Sequence, residues 1–147
     1  MDCLFLDANV LFSAAYRKDA GVRRLWALTE AKLVTSTYAV EEARRNLGTA
    51  EQRSDLEGLL EAIRVSNLLT DPTMDPTMDP AVAPAVAPAG HPEIEGSGLP
   101  EKDLPILRAA VASNATHLIT GDRKHFGHLF GKKVSGVLVA RPADYLG

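Results

Sequence analysis

The stretch Leu-Phe-Leu-Asp-Ala-Asn-Val-Leu-Phe at residues 4–12 decides the fold of this 147-residue chain. A short apolar run near the start of a chain is typical of a strand buried on both faces of a parallel sheet. A charge in the middle of such a strand would be costly to bury. Asp7 is therefore expected at the carboxyl end of the strand, which is the edge of an open parallel sheet where ligands bind. We predict that Asp7 anchors a metal site at this edge.

Length and composition indicate one globular domain that spans residues 1–147, with 46% hydrophobic and 24% charged residues. The net charge of −3 means that the overall field does not attract nucleic acid, so any such surface must be a local basic patch. Cys3 is the only cysteine, which excludes an internal disulfide and a Cys-rich zinc site. There is no secretory signal pattern and no apolar run near the ~20 residues of a membrane span, so a cytoplasmic protein with no membrane partner is expected.

Strands and helices alternate along the chain, which predicts an α/β fold with a mainly parallel sheet of five strands. After the first strand, periodicity predicts a helical turn at 12–18, a helix at 20–32 and a second strand at 32–36. Helices at 38–47, with Thr37 as N-cap, and at 51–63 precede a third strand at 64–69. A helix at 106–114, begun by Asp103, precedes a fourth strand at 116–120. A short helix or turn at 123–130, a fifth strand at 134–139 and a closing turn at 141–146 complete the prediction.

The composition changes at Asp71, where the sequence repeats Asp-Pro-Thr-Met and then Ala-Val-Ala-Pro, with a proline at every fourth position from Pro72 to Pro92. This spacing forbids both a helix interior and a central strand, because each proline removes a donor and restricts the preceding residue. We predict that residues 71–98 form an extended, Pro-rich insertion loop within the domain. A passive loop is the favoured interpretation, and an arm that binds a partner is the alternative.

Acidic residues lie where the predicted strands end. Asp7 follows the first strand and Asp122 follows the fourth, while Asp103 begins the helix before that strand. Carboxylates gathered in one pocket repel one another, by roughly 4 kcal/mol per pair at 4 Å and an effective dielectric of 20. Such groups shift their pKa values or bind a divalent cation. Oxygen ligands without cysteine favour Mg²⁺ or Mn²⁺ over zinc, and such a cation activates water and neutralises charge on a phosphoryl group.

Four segments, in this order, resemble the PIN domain family: Leu-Asp-Ala-Asn-Val-Leu at 6–11, Val-Glu-Glu-Ala-Arg-Arg-Asn-Leu at 40–47, Leu-Pro-Glu-Lys-Asp-Leu-Pro-Ile-Leu-Arg-Ala-Ala at 99–110 and Leu-Ile-Thr-Gly-Asp-Arg at 118–123. The resemblance covers nearly the whole chain except the Pro-rich insertion. It implies a three-layer sandwich with helices on both sides of the sheet. It also implies a metal-dependent endoribonuclease for single-stranded RNA, commonly the toxin of a VapBC-type toxin–antitoxin pair, with an antitoxin partner and often a homodimer.

Carried over position by position, the resemblance implies a catalytic acidic site made of Asp7, Glu42, Asp103 and Asp122, in which the three aspartates bind the metal. Asn9 and Thr120 would support the site by hydrogen bonding. Helical geometry does not choose between Glu41 and Glu42, and only the family pattern selects Glu42. Some relatives carry a further acidic residue after the last site aspartate. Residues 123–125 are Arg-Lys-His instead, which puts a second metal site in doubt.

Each of these residues also has a simpler interpretation. Asp7 and Asp122 could be turn formers, Asp103 could be a helix N-cap, and the two glutamates could be a solvated pair. His117, inside a predicted strand, is expected to be structural. The basic residues that could hold RNA phosphates are Arg17, Lys18, Arg44, Arg45, Arg123 and Lys124, for each of which a solvated surface charge is the simpler interpretation.

Two other functions remain open. The first is a catalytically inactive PIN-like module that binds RNA or another protein. The second is a phosphoryl-transfer or receiver-like domain in which Asp7 is the nucleophile. Phosphatase chemistry of that second kind would want an aspartate where Asn9 stands, and no glycine-rich phosphate loop follows the first strand.

Overall fold

The computed structural model describes residues 2–17, 19–66, 96 and 98–146. Its six strands form one sheet in the order β3-β2-β1-β4-β6-β5. The strands are β1 (Asp2–Leu6), β2 (Ala31–Ser36), β3 (Arg64–Ser66), β4 (His117–Ile119), β5 (Lys133–Val134) and β6 (Val137–Ala140). Every pairing is parallel except that of β5 with β6, which is antiparallel. The predicted α/β class with five mainly parallel strands is confirmed, and the two-residue β5 adds a short antiparallel edge.

The strand β1 is the centre of the sheet, paired with β2 on one side and β4 on the other. Leu4, Phe5 and Leu6 are fully buried, although successive side chains of a strand point to opposite faces. Helices must therefore cover both faces of the sheet, and each such burial contributes about 1.5–3 kcal/mol. The three-layer arrangement implied by the family resemblance is confirmed.

The helices are α1 (Ala8–Tyr16), α2 (Thr37–Asn46), α3 (Ala50–Leu60), α4 (Leu104–Ala112), α5 (Arg123–Phe126) and α6 (Pro142–Leu146), with short 3₁₀ helices at Gly21–Ala27, Glu101–Asp103 and Gly127–Leu129. The chain runs from β1 outward through β2 to β3, and then returns to β4 and β6 on the other side of β1. Because such crossovers are right-handed, the connections before and after this reversal lie on opposite faces.

The helix α1 begins earlier than the sequence predicted. Instead of a turn at 12–18, a full helix starts at Ala8, directly after the first strand. The carboxylate of Asp7 caps it by accepting a hydrogen bond from the Ala8 N–H at 2.6 Å. Val10, Leu11 and Ala14 are buried at helical spacing. The capping aspartate therefore converts the second half of the apolar run from strand to helix.

Three further local predictions are wrong. The helix predicted at 20–32 is only the 3₁₀ helix Gly21–Ala27, because Ala31 and the residue after it pair with β1 in the sheet. The N-cap of α2 is Ser36, whose hydroxyl accepts from the Ala39 N–H at 3.2 Å, and not Thr37. The strand predicted at 134–139 is divided into β5 and β6 by a turn at Ser135 and Gly136, which have φ of 49° and 86°.

The Pro-rich insertion predicted at 71–98 lies outside the described residues except for 96 and 98, as does Lys18. Of the strand predicted at 64–69, the described part is β3. Among the helices of the described part, none has the length and apolar character that crossing a membrane requires.

Candidate active site

The carboxyl ends of β1 and β4 form the point where the strand order reverses, which is where open α/β sheets bind ligands. Asp7 follows β1, and its backbone N–H donates to the Ile119 carbonyl of β4 at 3.0 Å. A cleft of about 440 Å³ opens there. Its lining consists of Asp7, Ala8, Asn9, Phe12, Glu42, Asn46, Asp103 and Asp122. The four acidic residues of the sequence hypothesis therefore line a single cleft, although they lie far apart in the chain.

Asp7 is held by three groups at the base of this cleft and is only 5% exposed. One carboxylate oxygen accepts from the Ala8 N–H. The other accepts from the Thr120 hydroxyl at 2.8 Å and from the Asn9 side-chain amide at 3.0 Å. Asn9 also accepts from the Gly121 N–H at 2.8 Å, which ties α1 to the loop after β4. These contacts fix the direction of the Asp7 carboxylate.

The environment of Asp7 raises the pKa of its carboxyl group from 3.8 to about 6. Burial is the main cause, because it penalises the charged form. The hydrogen bonds from Thr120 and Ala8 act in the opposite direction, while the negative charges of Glu42 and Asp103 raise the pKa further. A cation in the cleft would relieve this burial of negative charge.

Asp103 and Asp122 meet at the imidazole of His125. Its Nδ1 lies 2.8 Å from an Asp122 oxygen and 3.2 Å from an Asp103 oxygen. Burial alone would raise the pKa of Asp122, but the backbone and ring hydrogen bonds from His125 outweigh it, so the pKa lies below its usual value. Asp103 occupies the N-cap position of α4, as its simpler interpretation expects, but its side chain makes no capping hydrogen bond to that helix.

This group of side chains fits a divalent cation. One ligand atom from each of Asp103, Asp122 and His125 can be chosen so that all three lie within 4.8 Å of one another. Atoms this close would let the three side chains hold one divalent cation together. Asp7 lines the same cleft but is not a member of this closest group in the described part of the chain.

The structure distinguishes the two glutamates of α2. Glu42 lines the cleft, and its charge acts on Asp7. Glu41 instead forms an ion pair with Arg44, which also binds Glu57. Glu42 therefore lines the same cleft as the three aspartates, whereas Glu41 is an exposed surface charge.

Sequence reasoning missed three residues near the cleft. His125 belongs to the Arg-Lys-His stretch that put a second metal site in doubt, although its position three residues after a helix-capping aspartate is the signal that would have placed it beside Asp122. Phe12 lines the cleft from α1. Tyr38, whose pKa is raised by burial and by the charges of Glu42 and Asp103, lies close to the acidic group. His117, expected to be structural, bonds Thr116 and packs edge-on against Tyr145.

The chain has relatives of known fold. The model of the PIN domain family matches residues 4–124. A solved structure of VapBC2 from Rickettsia felis, bound to a DNA fragment from its promoter, is similar with a TM-score of 0.64 and 15% identity, covering 95% of this chain and 98% of that chain. FitAcB from Neisseria gonorrhoeae is similar with a TM-score of 0.50 and 18% identity over the same shares.

At these identities the likeness to the solved structures is one of fold. A comparison with curated protein sequences finds no significant match. The family model spans most of the chain and contains all four of the segments that carry the resemblance in full. The chain belongs to the PIN domain family.

Proposed function

We propose that this protein is a metal-dependent endoribonuclease that hydrolyses phosphodiester bonds of single-stranded RNA. The observation that carries the proposal is the convergence of Asp7, Glu42, Asp103 and Asp122 on one cleft at the strand ends. Four carboxylates in one cleft are unfavourable without a counter-charge. A divalent cation and a phosphate group together provide a chemical reason for the arrangement, and membership in the PIN domain family supports a nuclease.

In this proposal Asp7, Asp103 and Asp122 hold the ion, and His125 is a further candidate ligand. A divalent cation bound there supplies a water of lowered pKa and neutralises charge on the phosphoryl group. Asn9 and Thr120 orient the Asp7 carboxylate and, by donating hydrogen bonds to it, favour its charged form. Glu42, which also lines the cleft, would accept a proton from the attacking water.

The ligand set supports Mg²⁺ or Mn²⁺, because carboxylate oxygens dominate it. The imidazole of His125 favours Mn²⁺ of these two, since nitrogen ligands suit transition metals better than Mg²⁺. The imidazole of His125 and carboxylates from two segments meet at this point.

We also propose that the protein is a toxin that pairs with an antitoxin. The similarity of its fold to the VapBC2 complex supports this role. The product of a short reading frame directly upstream of its gene, expressed together with the chain, is expected to copurify with it and to inhibit cleavage. Sedimentation of the chain alone would test the homodimer that the family resemblance implies.

The proposal is tested by incubating the purified protein with a single-stranded RNA. We expect cleavage with Mn²⁺ or Mg²⁺, none with excess chelator, and a loss of roughly a hundredfold or more in Asp7→Asn. Glu61→Gln, an exposed charge removal at the end of α3, is the matched control and is expected to cleave normally. Full activity of Asp7→Asn would show that the site is wrong. RNA binding without cleavage under any divalent ion would favour the inactive module instead.

A further inference from the structure

Two aromatic side chains of α1 lead away from the acidic cleft. Phe12 lines the cleft. Tyr16, one helical turn further on, stacks on it with 5.3 Å between the ring centroids and 23° between the ring planes. Because residues four apart share one face of a helix, the two rings form a continuous strip from the acidic residues toward solvent.

The exposure of Tyr16 is not explained by the core. Tyr16 is 53% exposed, and the only other large hydrophobic residue with high exposure in the described part is Val65, on the edge strand β3. The core-facing side of α1 consists of small and aliphatic residues such as Leu11, Ala14 and Ala15. Phe12 is half-buried and packs partly against the core, whereas Tyr16 is exposed, so the stacked pair leaves aromatic surface open next to the cleft.

The charges around the cleft do not favour a polyanion. The cleft itself is acidic, and two of the arginines predicted to hold phosphates are paired with carboxylates. Arg17 pairs with Asp19, and Arg44 pairs with two glutamates. A strand of RNA bound here therefore gains less from phosphate contacts than a basic surface would give, and contacts with uncharged parts of the nucleotide become more important.

Bases of a single strand are the part of RNA that fits these rings. Every base offers a flat face that stacks on an aromatic side chain, whereas bases in a duplex are already stacked on one another. We infer that Phe12 and Tyr16 form a stacking platform for unpaired bases next to the scissile phosphate. This inference rests on the proposed function and deepens it, because the aromatic residues of α1 would explain why the enzyme acts on single-stranded RNA. Tyr16 is thus a positioning residue.

The test compares Tyr16→Ala with Tyr16→Phe, which keeps the ring, and with Val65→Ala, which removes the other exposed apolar side chain. Steady-state cleavage of a short single-stranded RNA is measured for all three and for wild type. Tyr16→Ala is expected to raise KM by roughly five- to a hundredfold, which is the effect of losing one stacked base. Its kcat should stay close to that of wild type. The two controls should stay within about twofold of wild type, and thermal melting confirms that all are folded.

A second arm of the same experiment replaces single nucleotides of the RNA by abasic ones. In wild type, an abasic residue at one position beside the cleavage point should raise KM as much as Tyr16→Ala does. Combined with Tyr16→Ala, it should add little, because both changes remove the same contact. Raising the salt concentration should weaken RNA binding by wild type and by Tyr16→Ala with the same dependence on salt, since the ring carries no charge.

The outcomes separate this inference from the proposed function. Cleavage by wild type with an unchanged KM in Tyr16→Ala overturns the stacking platform alone. Tyr16→Ala could also cleave with a normal KM but no longer bind the upstream gene product. That result would overturn the stacking platform and assign the rings to a protein interface. Failure of wild type to cleave or bind any single-stranded RNA overturns both proposals.

Discussion

Asp7 is the residue at which burial and charge are most strongly opposed. It is nearly inaccessible, yet three hydrogen bonds hold its carboxylate toward an acidic cleft. Its folded-state pKa of about 6 is higher than the 3.8 of the ordinary group. Native protein therefore binds a proton more tightly than unfolded protein between these values, so this group stabilises the fold fully below pH 3.8. That contribution is lost as the pH rises through about 6.

The first prediction compares wild type with Asp7→Asn in the presence of chelator. A pKa raised from 3.8 to about 6 corresponds to about 3 kcal/mol of unfavourable free energy in the ionised form. The free energy of unfolding of Asp7→Asn, relative to wild type, should therefore increase by about 2 kcal/mol between pH 4 and pH 7, because the unfolded-state carboxyl group is already partly ionised at pH 4. Urea denaturation at each pH measures this difference. A difference that stays constant with pH would show that Asp7 does not titrate as described.

The position of His125 beside two aspartates predicts which metal the site prefers. If its imidazole is a ligand beside Asp103 and Asp122, replacing it by a carboxylate makes the site more suited to Mg²⁺. We expect wild type to bind Mn²⁺ more tightly than Mg²⁺ and His125→Asp to lose several-fold of that preference. Calorimetric titration of both metals measures the ratio. An unchanged ratio would mean that His125 stays outside the coordination shell.

At the scale of elements, Asn9 connects the first helix with the loop after β4. Its amide donates to Asp7 and Thr120, and its carbonyl accepts from Gly121. Asn9→Ala leaves buried acceptors and a backbone donor without these partners, so it should lower the free energy of unfolding by about 1–3 kcal/mol. Asn46→Ala is the control, because within the described residues the exposed Asn46 side chain bonds one backbone carbonyl of its own helix, and its loss should change stability by at most ~0.5 kcal/mol.

Denaturation by urea tests the pair of asparagine variants. Equal stability of the two would mean that the connection through Asn9 is not what positions Asp7. A larger loss in Asn9→Ala, together with a weaker metal affinity, is the result expected from a shared hydrogen-bond network.

Helices and strands could be predicted where the signal lies in the local sequence. The predictions failed where contact with another element determines the bounds. The apolar run of β1 and the polar residue at its end are sufficient to predict a buried strand and its carboxyl edge. The start of α1 was missed because the apolar run continues through Asp7, and only the capping hydrogen bond divides it. The helix predicted at 20–32 is longer than the observed 3₁₀ helix Gly21–Ala27, because periodicity does not reveal that Ala31 pairs with Asp2 in the sheet.

For the molecule as a whole, topology brings the site together. Asp7 and Asp122 could be placed at one rim from the sequence, since both follow predicted parallel strands. Glu42 and Asp103 could not, because nothing local gives the direction of a helical side chain, and the family pattern supplied them. His125 could be placed beside Asp122 from its spacing, but its approach to Asp103, which lies in another segment, could not be predicted. The reversal of strand order between β1 and β4 is what makes these distant residues neighbours.

The central claim is that acidic side chains from separate segments bind one divalent cation together. Calorimetric titration of Mn²⁺ into wild type, Asp7→Asn, Asp103→Asn and Asp122→Asn tests it most directly, with Glu61→Gln as the matched charge control. We expect one site in wild type and in the control, and an affinity weakened roughly tenfold or more in each aspartate variant. Binding that is unchanged in all three aspartate variants would contradict the claim.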